Sequence, residues 1–256
     1  MNLTNENYYS ADANREYFSV SQFKSFHTCE ERAMAEITGR YVRPETKSLL
    51  MGSYVDAYFS DEMDEFIARH PEIWKRDGTL KADYIQADEC IERAKRDAMF
   101  MEYISGEMQK VMTGELFGVK WKIKTDSLHD DKIVDLKLMK DIEPVYIDGE
   151  RKTFIDAWGY DIQGFVYQKI VAQNTGKELP FYLAVITKEK NTNIEIIHIP
   201  DWRLKSAGEL VRHYIQRYAR VKAGEIAPER CGVCDWCRAT KVITKPLEYD
   251  ELVEAL

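Results

Sequence analysis

Residues 119–137 read VKWKIKTDSLHDDKIVDLK. Val119, Trp121 and Ile123 alternate with Lys120, Lys122, Lys124 and Asp126. Val134, Leu136 and Leu138 alternate with Ile133, Asp135 and Lys137. A period of two marks a strand, because successive side chains leave opposite faces of a sheet. The short polar run from Ser127 to Asp131 predicts a hairpin between the two strands. Asp135 and Lys137 then share a face, and Asp126 ends the neighbouring strand, also opposite the apolar set. Two carboxylates and an ammonium can meet on one patch, and such a patch can hold a divalent metal and activate water beside it. A lone Asp-x-Lys is usually a pair of charges facing water. Here the second strand is rich in Val, Ile and Leu and reads as buried and central, where charge is costly without a purpose.

The chain of 256 residues is long enough for one large domain or two small ones. Hydrophobic residues make up 45% and charged residues 31%, the balance of a chain with a real core and a wet surface. No apolar run reaches the length of a membrane span. The first residues, MNLTNENYYSADANREYF, lack the charged-then-apolar pattern of a signal peptide, so a cytoplasmic protein with no membrane partner is expected. A net charge of -8 speaks against a protein coated by nucleic acid, but not against a local channel that grips DNA. Five cysteines in such a chain point to metal or redox chemistry rather than disulfides.

Outward from the hairpin, helices are expected over 19–39, 48–70 and 82–104, the last so charged that it reads as a mobile outer element. Strands are expected over 107–113 and 116–126 around Gly114, and again over 181–187 and 193–199. A helix over 156–173 and a long amphipathic one over 202–223 complete the order, followed by a cysteine-rich segment and a short acidic tail. This order predicts one α/β core with a helical subregion before it.

Four further groups carry chemistry. Gln163 and Tyr167 lie four apart on a helix and share a face; alone they read as an ordinary amphipathic pair, but beside an acidic patch they suit a phosphate and its water. Asp56 follows Gly52 by one turn on an otherwise apolar helix, where a carboxylate is usually paired or bound to metal. Cys231, Cys234 and Cys237 form C-x-x-C-x-x-C, which can wrap one face of an iron–sulfur cluster, with Cys29 or Cys90 as the fourth thiol. Structural zinc is the competing reading, with His27 or His213 as further ligands. Basic residues from Arg203 to Lys241 mostly read as a solvated face, some within reach of DNA phosphates.

In order and spacing, SVSQFKSFHTC, LLMGSYVD, TD, VDLK, QGFVY and CGVCDWC resemble the PD-(D/E)xK nuclease superfamily, in its RecB-like and exonuclease VIII-like branch, across roughly 19–241. The resemblance implies a restriction-endonuclease-like α/β fold, with a central mixed sheet flanked by helices. It implies a single nuclease domain over 1–256, with a helical subregion over 1–105, a catalytic core over 106–225 and a cysteine segment over 226–241. Asp126 and Asp135 would bind magnesium or manganese, joined by Asp56, the Leu136 carbonyl and Glu115. Asp56 stands where relatives often have a metal-binding His. Lys137 would orient or activate the attacking water, with Gln163 and Tyr167 near the substrate. Cys29 would join Cys231, Cys234 and Cys237 around a 4Fe–4S cluster. The implied activity is a metal-dependent DNA exonuclease of phage or prophage recombination and repair. Its implied partners are DNA, a single-strand annealing protein and further copies of the chain. A dormant DNA-end-binding recombination partner and a redox carrier are the alternatives.

Overall fold

The structure, a computed structural model, describes residues 2–147, 149–246 and 248–250. Helices come first: α1 (Ala11–Glu16), α2 (Val20–Thr28), α3 (Glu30–Ile37), α4 (Lys47–Phe59), α5 (Met63–Arg69), a 3₁₀ turn (Pro71–Ile73), α6 (Ala82–Lys95) and α7 (Ala98–Tyr103). Strands β1 (Glu107–Leu116), β2 (Val119–Leu128) and β3 (Ile133–Met139) follow. After the small hairpin of β4 (Val145–Ile147) and β5 (Glu150–Lys152) come α8 (Phe154–Trp158) and α9 (Tyr160–Thr175). Strands β6 (Phe181–Thr187) and β7 (Ile194–Ile199), then α10 (Asp201–Lys222) and α11 (Asp235–Ala239), end the described order.

Five strands form one sheet in the order β1-β2-β3-β6-β7. β3 and β6 run parallel and the other neighbours antiparallel, so the sheet is mixed. The period of two decides what covers each face. Ile133, Phe181, Leu183 and Val185 share a core with α2, α9 and α10. Val134, Leu136, Ala184 and Ile186 share the other with α4, α5, α6 and α7. The α/β class with a mixed sheet flanked by helices is therefore as the sequence implies. No helix among the described residues is long and apolar enough to cross a membrane.

Several expected elements are corrected by single-residue backbone geometry. The helix expected over 19–39 is two helices, broken at Cys29, whose φ of -167° and ψ of 111° are extended. Ser19 still caps the first, its hydroxyl accepting from the Gln22 N–H. The helix over 48–70 breaks near Asp61, which sits at φ 61°. The helix over 156–173 breaks at Gly159, at φ 60°. The helix over 82–104 is neither continuous nor a mobile outer element. Asp97 caps a new helix there, and Tyr84, Ala87, Cys90, Ile91 and Ala94 of α6 are buried. Its charges are dense, but its small and apolar residues fall on one stripe. The first hairpin turns at Phe117 and Gly118, both at positive φ, and Gly114 lies inside β1. The acidic tail from 251 onward lies outside the described residues.

Gly164 shows why α9 can lie so close to its neighbours. A Cβ there would stand 2.7 Å from Leu204 Cδ2 and 2.7 Å from Phe181 Cδ1. Leu204 and Phe181 are fully buried and cannot swing away into solvent. Gly164→Ala is therefore expected to lower stability by about 1–3 kcal/mol, the usual cost of overpacking a filled core. Thermal unfolding of the variant against wild type measures it.

Candidate active site

The site lies in a fork. β2 and β3 pair only at Ser127↔Val134 and Leu128↔Ile133, then separate. Further back, the same edge of β2 is taken by Phe18, whose N–H donates to the Lys120 carbonyl at 2.9 Å while its carbonyl accepts from the Lys122 N–H at 2.8 Å. Between these two stretches the ladder is open. Exposed strand edges need other partners, and the site residues supply them. The Leu136 N–H donates to Asp126 Oδ2 at 2.9 Å. The Tyr167 hydroxyl donates to the Lys124 carbonyl at 3.0 Å. The short ladder also fixes orientation. Since Leu128 opposes Ile133, Asp126 and Asp135, each two residues into the fork, leave the same nominal face.

The expected constellation gathers at this fork. Asp56, Asp126, Asp135, Lys137, Gln163 and Tyr167 line one cleft of about 900 Å³. The Lys137 ammonium pairs with Asp135, stands 3.9 Å from Asp126 Oδ2 and donates to the Leu136 carbonyl at 3.0 Å. Gln163 Nε2 donates to Asp135 Oδ1 at 2.6 Å. The Tyr160 ring lies under Lys137, its centroid 5.5 Å from the ammonium. Asp56 arrives from α4, whose Leu50, Met51, Tyr54 and Val55 share a core with Val134 and Leu136. Glu115 does not belong to the group. It is exposed on β1, opposite Lys120 and outside the cleft. Its place just before the strand thought to be central put it near the fork in sequence. The β1–β2 hairpin, extended to Leu116, carries it to the turn end instead.

The electrostatics are those of crowded acids. Burial raises Asp56 to about 7, eased by Lys137 and worsened by Asp135. Burial also raises Asp126 well above the usual carboxylate range, with Asp135 and Asp56 adding to it against Lys137. Burial alone would lower the Lys137 ammonium, but Asp135, Asp126 and Asp56 together push it up. Asp135 Oδ2 is buried and faces the Lys137 charge, yet accepts no well-directed hydrogen bond. Hard oxygens, raised carboxylates and a buried oxygen without a directed hydrogen bond are what a divalent cation relieves. The residues therefore fit magnesium or manganese. The oxygens of the three acids are not all within 4.8 Å of one another, and Lys137 stands between Asp126 and Asp135.

Other residues of the cleft were not singled out in sequence. Lys24 of α2 lines it, and its ammonium stands 5.2 Å from the Tyr160 centroid. Burial, then the Lys137 charge, lowers Lys24 to about 8. Tyr8, Tyr9 and Lys124 line it as well. Lys124 could have been found, since a period of two counted back from Asp126 lands on it. Tyr8, Tyr9 and Lys24 carry no such signal, for their distance from the fork is set by chain path alone.

A second cluster lies apart. The sulfur atoms of Cys29, Cys231, Cys234 and Cys237 all lie within 4.8 Å of one another. Cys29 can reach because its extended conformation breaks the helix there. Amide N–H groups point at the sulfurs, from Cys234 to Cys231 at 3.3 Å and from Cys237 to Cys234 at 3.5 Å. Burial raises Cys231, but the Cys234 and Val233 N–H groups outweigh it and bring the thiol down to about 6. A thiolate there is a ready metal ligand. Cys90 is elsewhere, buried, with its thiol against the Thr187 carbonyl. His27 Nδ1 is 3.0 Å from the Tyr218 hydroxyl and is not in the group, nor is His213. Around the cluster, Arg217 grips Glu30 by two hydrogen bonds of 2.6 and 2.9 Å, and Glu30 also accepts from the Glu229 N–H at 2.8 Å. This docking of the C-terminal segment onto α3 has no local sequence signal, since Glu30 and Arg217 meet only through the fold.

Comparison with known proteins agrees with this geometry. The family described as a PDDEXK-like domain of unknown function (DUF3799) matches residues 19–240. The crystal structure of a protein from Eubacterium rectale, named "Putative exonuclease", is 46% identical, covers 100% of each chain and superposes with a TM-score of 0.96. No curated protein matches the chain.

Proposed function

The chain belongs to the family of PDDEXK-like domains described as DUF3799, and from that premise we propose that it is a magnesium- or manganese-dependent deoxyribonuclease, acting as an exonuclease. One observation carries this reading: Asp126, Asp135 and Lys137 meet where β2 and β3 part, inside a cleft open to solvent. The name of the Eubacterium rectale protein supports the exonuclease form.

Asp56, Asp126, Asp135 and the Leu136 carbonyl would hold the metal. A cation bound there supplies Lewis acidity to the scissile phosphate and lowers the pKa of water. Gln163 fixes the Asp135 carboxylate through its 2.6 Å hydrogen bond, so that carboxylate is oriented before substrate arrives. Lys137 offsets the negative charge that grows on the phosphate and holds the attacking water in line. Lys24, a second ammonium beside Tyr160, is in reach of a substrate phosphate in the same cleft. Tyr167 satisfies the Lys124 carbonyl at the open edge of β2, inside the same cleft. Helices before residue 106 form one wall of the cleft, which supports treating the whole chain as one nuclease unit. Recombination and repair of phage or prophage DNA, alongside a single-strand annealing protein, is the proposed setting, from the sequence resemblance.

The cysteines are proposed to hold a structural metal centre. The C-x-x-C-x-x-C run plus Cys29 favours a 4Fe–4S cluster. The spacing favours zinc, since zinc–sulfur bonds of about 2.3 Å set thiolates in a compact tetrahedron and Cys29 Sγ and Cys237 Sγ are 3.5 Å apart. Visible absorbance and metal content of protein purified without air separate the two.

The function is tested with end-labelled linear duplex, circular duplex and single strands, each with magnesium, manganese or EDTA. The expected result is nucleotide release from linear DNA with either metal, none with EDTA, and intact circles. Tight end binding without cleavage under every metal would sink the nuclease and favour the dormant end-binding partner.

A further inference from the structure

Tyr8 and Tyr9 are consecutive, and their rings meet edge-on with centroids 4.9 Å apart at 85°. They do opposite things. Tyr8 is 6% exposed, and the buried Lys122 ammonium lies 4.6 Å from its ring centroid. Lys122 also donates to the Tyr8 carbonyl and to Asn14 Oδ1, so Tyr8 is locked. Tyr9 is 72% exposed, a large ring left in water at the mouth of the cleft that holds Asp56, Asp126 and Asp135. The ring lines the same cleft as Asp126 and Asp56 and keeps most of its surface open. Lys124, two residues before Asp126 on β2, reaches over the same ring, its ammonium 5.7 Å from the centroid.

We propose that Tyr9 is a stacking platform for the nucleobase next to the scissile phosphate, with Lys124 moving from the ring to a neighbouring phosphate as the nucleotide enters. This rests on the nuclease reading above. The chemistry is an exchange of partners. A base has a π-face that can take the ammonium's place on the ring, whatever its sequence, and the strand brings the phosphate that the ammonium then meets. The Tyr8–Lys122 lock holds the Tyr9 backbone in place, so the ring is oriented before binding and little order is lost on stacking. The buried Tyr8 does the structural work of the pair, which leaves Tyr9 free for substrate.

The test uses the full chain and a series of oligonucleotides, each with one abasic site at a different distance from the end. Cleavage is followed with magnesium, and binding with calcium. Tyr9→Ala is expected to raise KM about tenfold on intact DNA, the scale of one lost base stack, with kcat changed far less. Tyr9→Phe and Tyr9→Trp should stay near wild type. At one abasic position alone, wild type should fall to the Tyr9→Ala level and the variant should lose nothing more. Loss in Tyr9→Phe equal to that in Tyr9→Ala would overturn the proposal, because the hydroxyl rather than the ring face would then matter. So would a Tyr9→Ala effect equal at every abasic position, since that is the mark of a structural defect. Full binding and cleavage by Tyr9→Ala would overturn it while leaving the nuclease standing. Absence of DNA binding and cleavage in wild type would overturn both.

Discussion

Lys137→Ala is expected to lower metal-dependent DNA hydrolysis by about 10²–10³-fold, the range seen when one group that stabilises transition-state charge is removed. The loss should fall on kcat, because the ammonium stands among the acids rather than at the mouth of the cleft. The variant should still fold. The Lys137 ammonium meets the Asp135 and Asp126 carboxylates, the Leu136 carbonyl and the face of the Tyr160 ring, and Lys137 belongs to neither apolar core. Metal binding gives the discriminating result. Without the ammonium, Asp56, Asp126 and Asp135 lose the charge that now offsets them, so affinity for manganese should hold or tighten. Asp135→Ala should do the reverse and lose the metal together with cleavage. Calorimetric titration with manganese, set beside cleavage rates, separates the two variants. Cleavage by Lys137→Ala at the wild-type rate would contradict the role assigned here.

Cys29→Ser carries the other large effect. Cys29 is the one thiol of its cluster that comes from the early helices, and the other three come from residues 231–237. Removing it leaves three thiols, too few for a closed structural site. Bound metal should be lost from the purified protein. Stability should fall by about 3 kcal/mol or more, since metal affinity of a structural site counts as folding energy. For a chain of this length that is about 6–12 °C in Tm. Elemental analysis and a thermal scan read the two effects. The Arg217–Glu30–Glu229 network should keep the segment partly docked, so the variant should lose stability without losing the nuclease cleft. A Cys90→Ser control should retain its metal, because that thiol is packed against Thr187 instead.

Much of this was written in the order of residues. The alternation in 119–137 predicts the hairpin, and the register of two residue pairs is enough to bring Asp126 and Asp135 to one face. The run Phe181–Thr187 and the long helix ending at Lys222 fall within one residue of their expected bounds. What escaped was of two kinds. Helix breaks at Cys29, Asp61 and Gly159 depend on one residue leaving helical geometry, and a stripe of apolar residues continues through such a break unchanged. Contacts between distant segments were the other kind. Tyr9 in one cleft with Asp126, Lys24 beside Tyr160 and Glu30 against Arg217 have no shared period or motif. The burial of α6 is hidden in the sequence by its charges, six in 14 residues, although one stripe of small and apolar residues is enough to seat it. Glu115 failed for a simpler reason: β1 runs three residues beyond its expected end, to Leu116, and carries Glu115 to the turn.

The parallel pairing of β3 with β6 bears on when the chain could begin to cut. Residues 140–180 must be looped out before those two strands can meet, and such distant pairings close slowly and late in folding. The β1–β2 hairpin is local and can form early with Asp126 on it. Asp135 and Lys137 reach their places only as β3 joins the sheet. A nascent or partly unfolded chain would thus hold Asp126 without Asp135 and Lys137 beside it, so the constellation is complete only once β6 has been made and has paired.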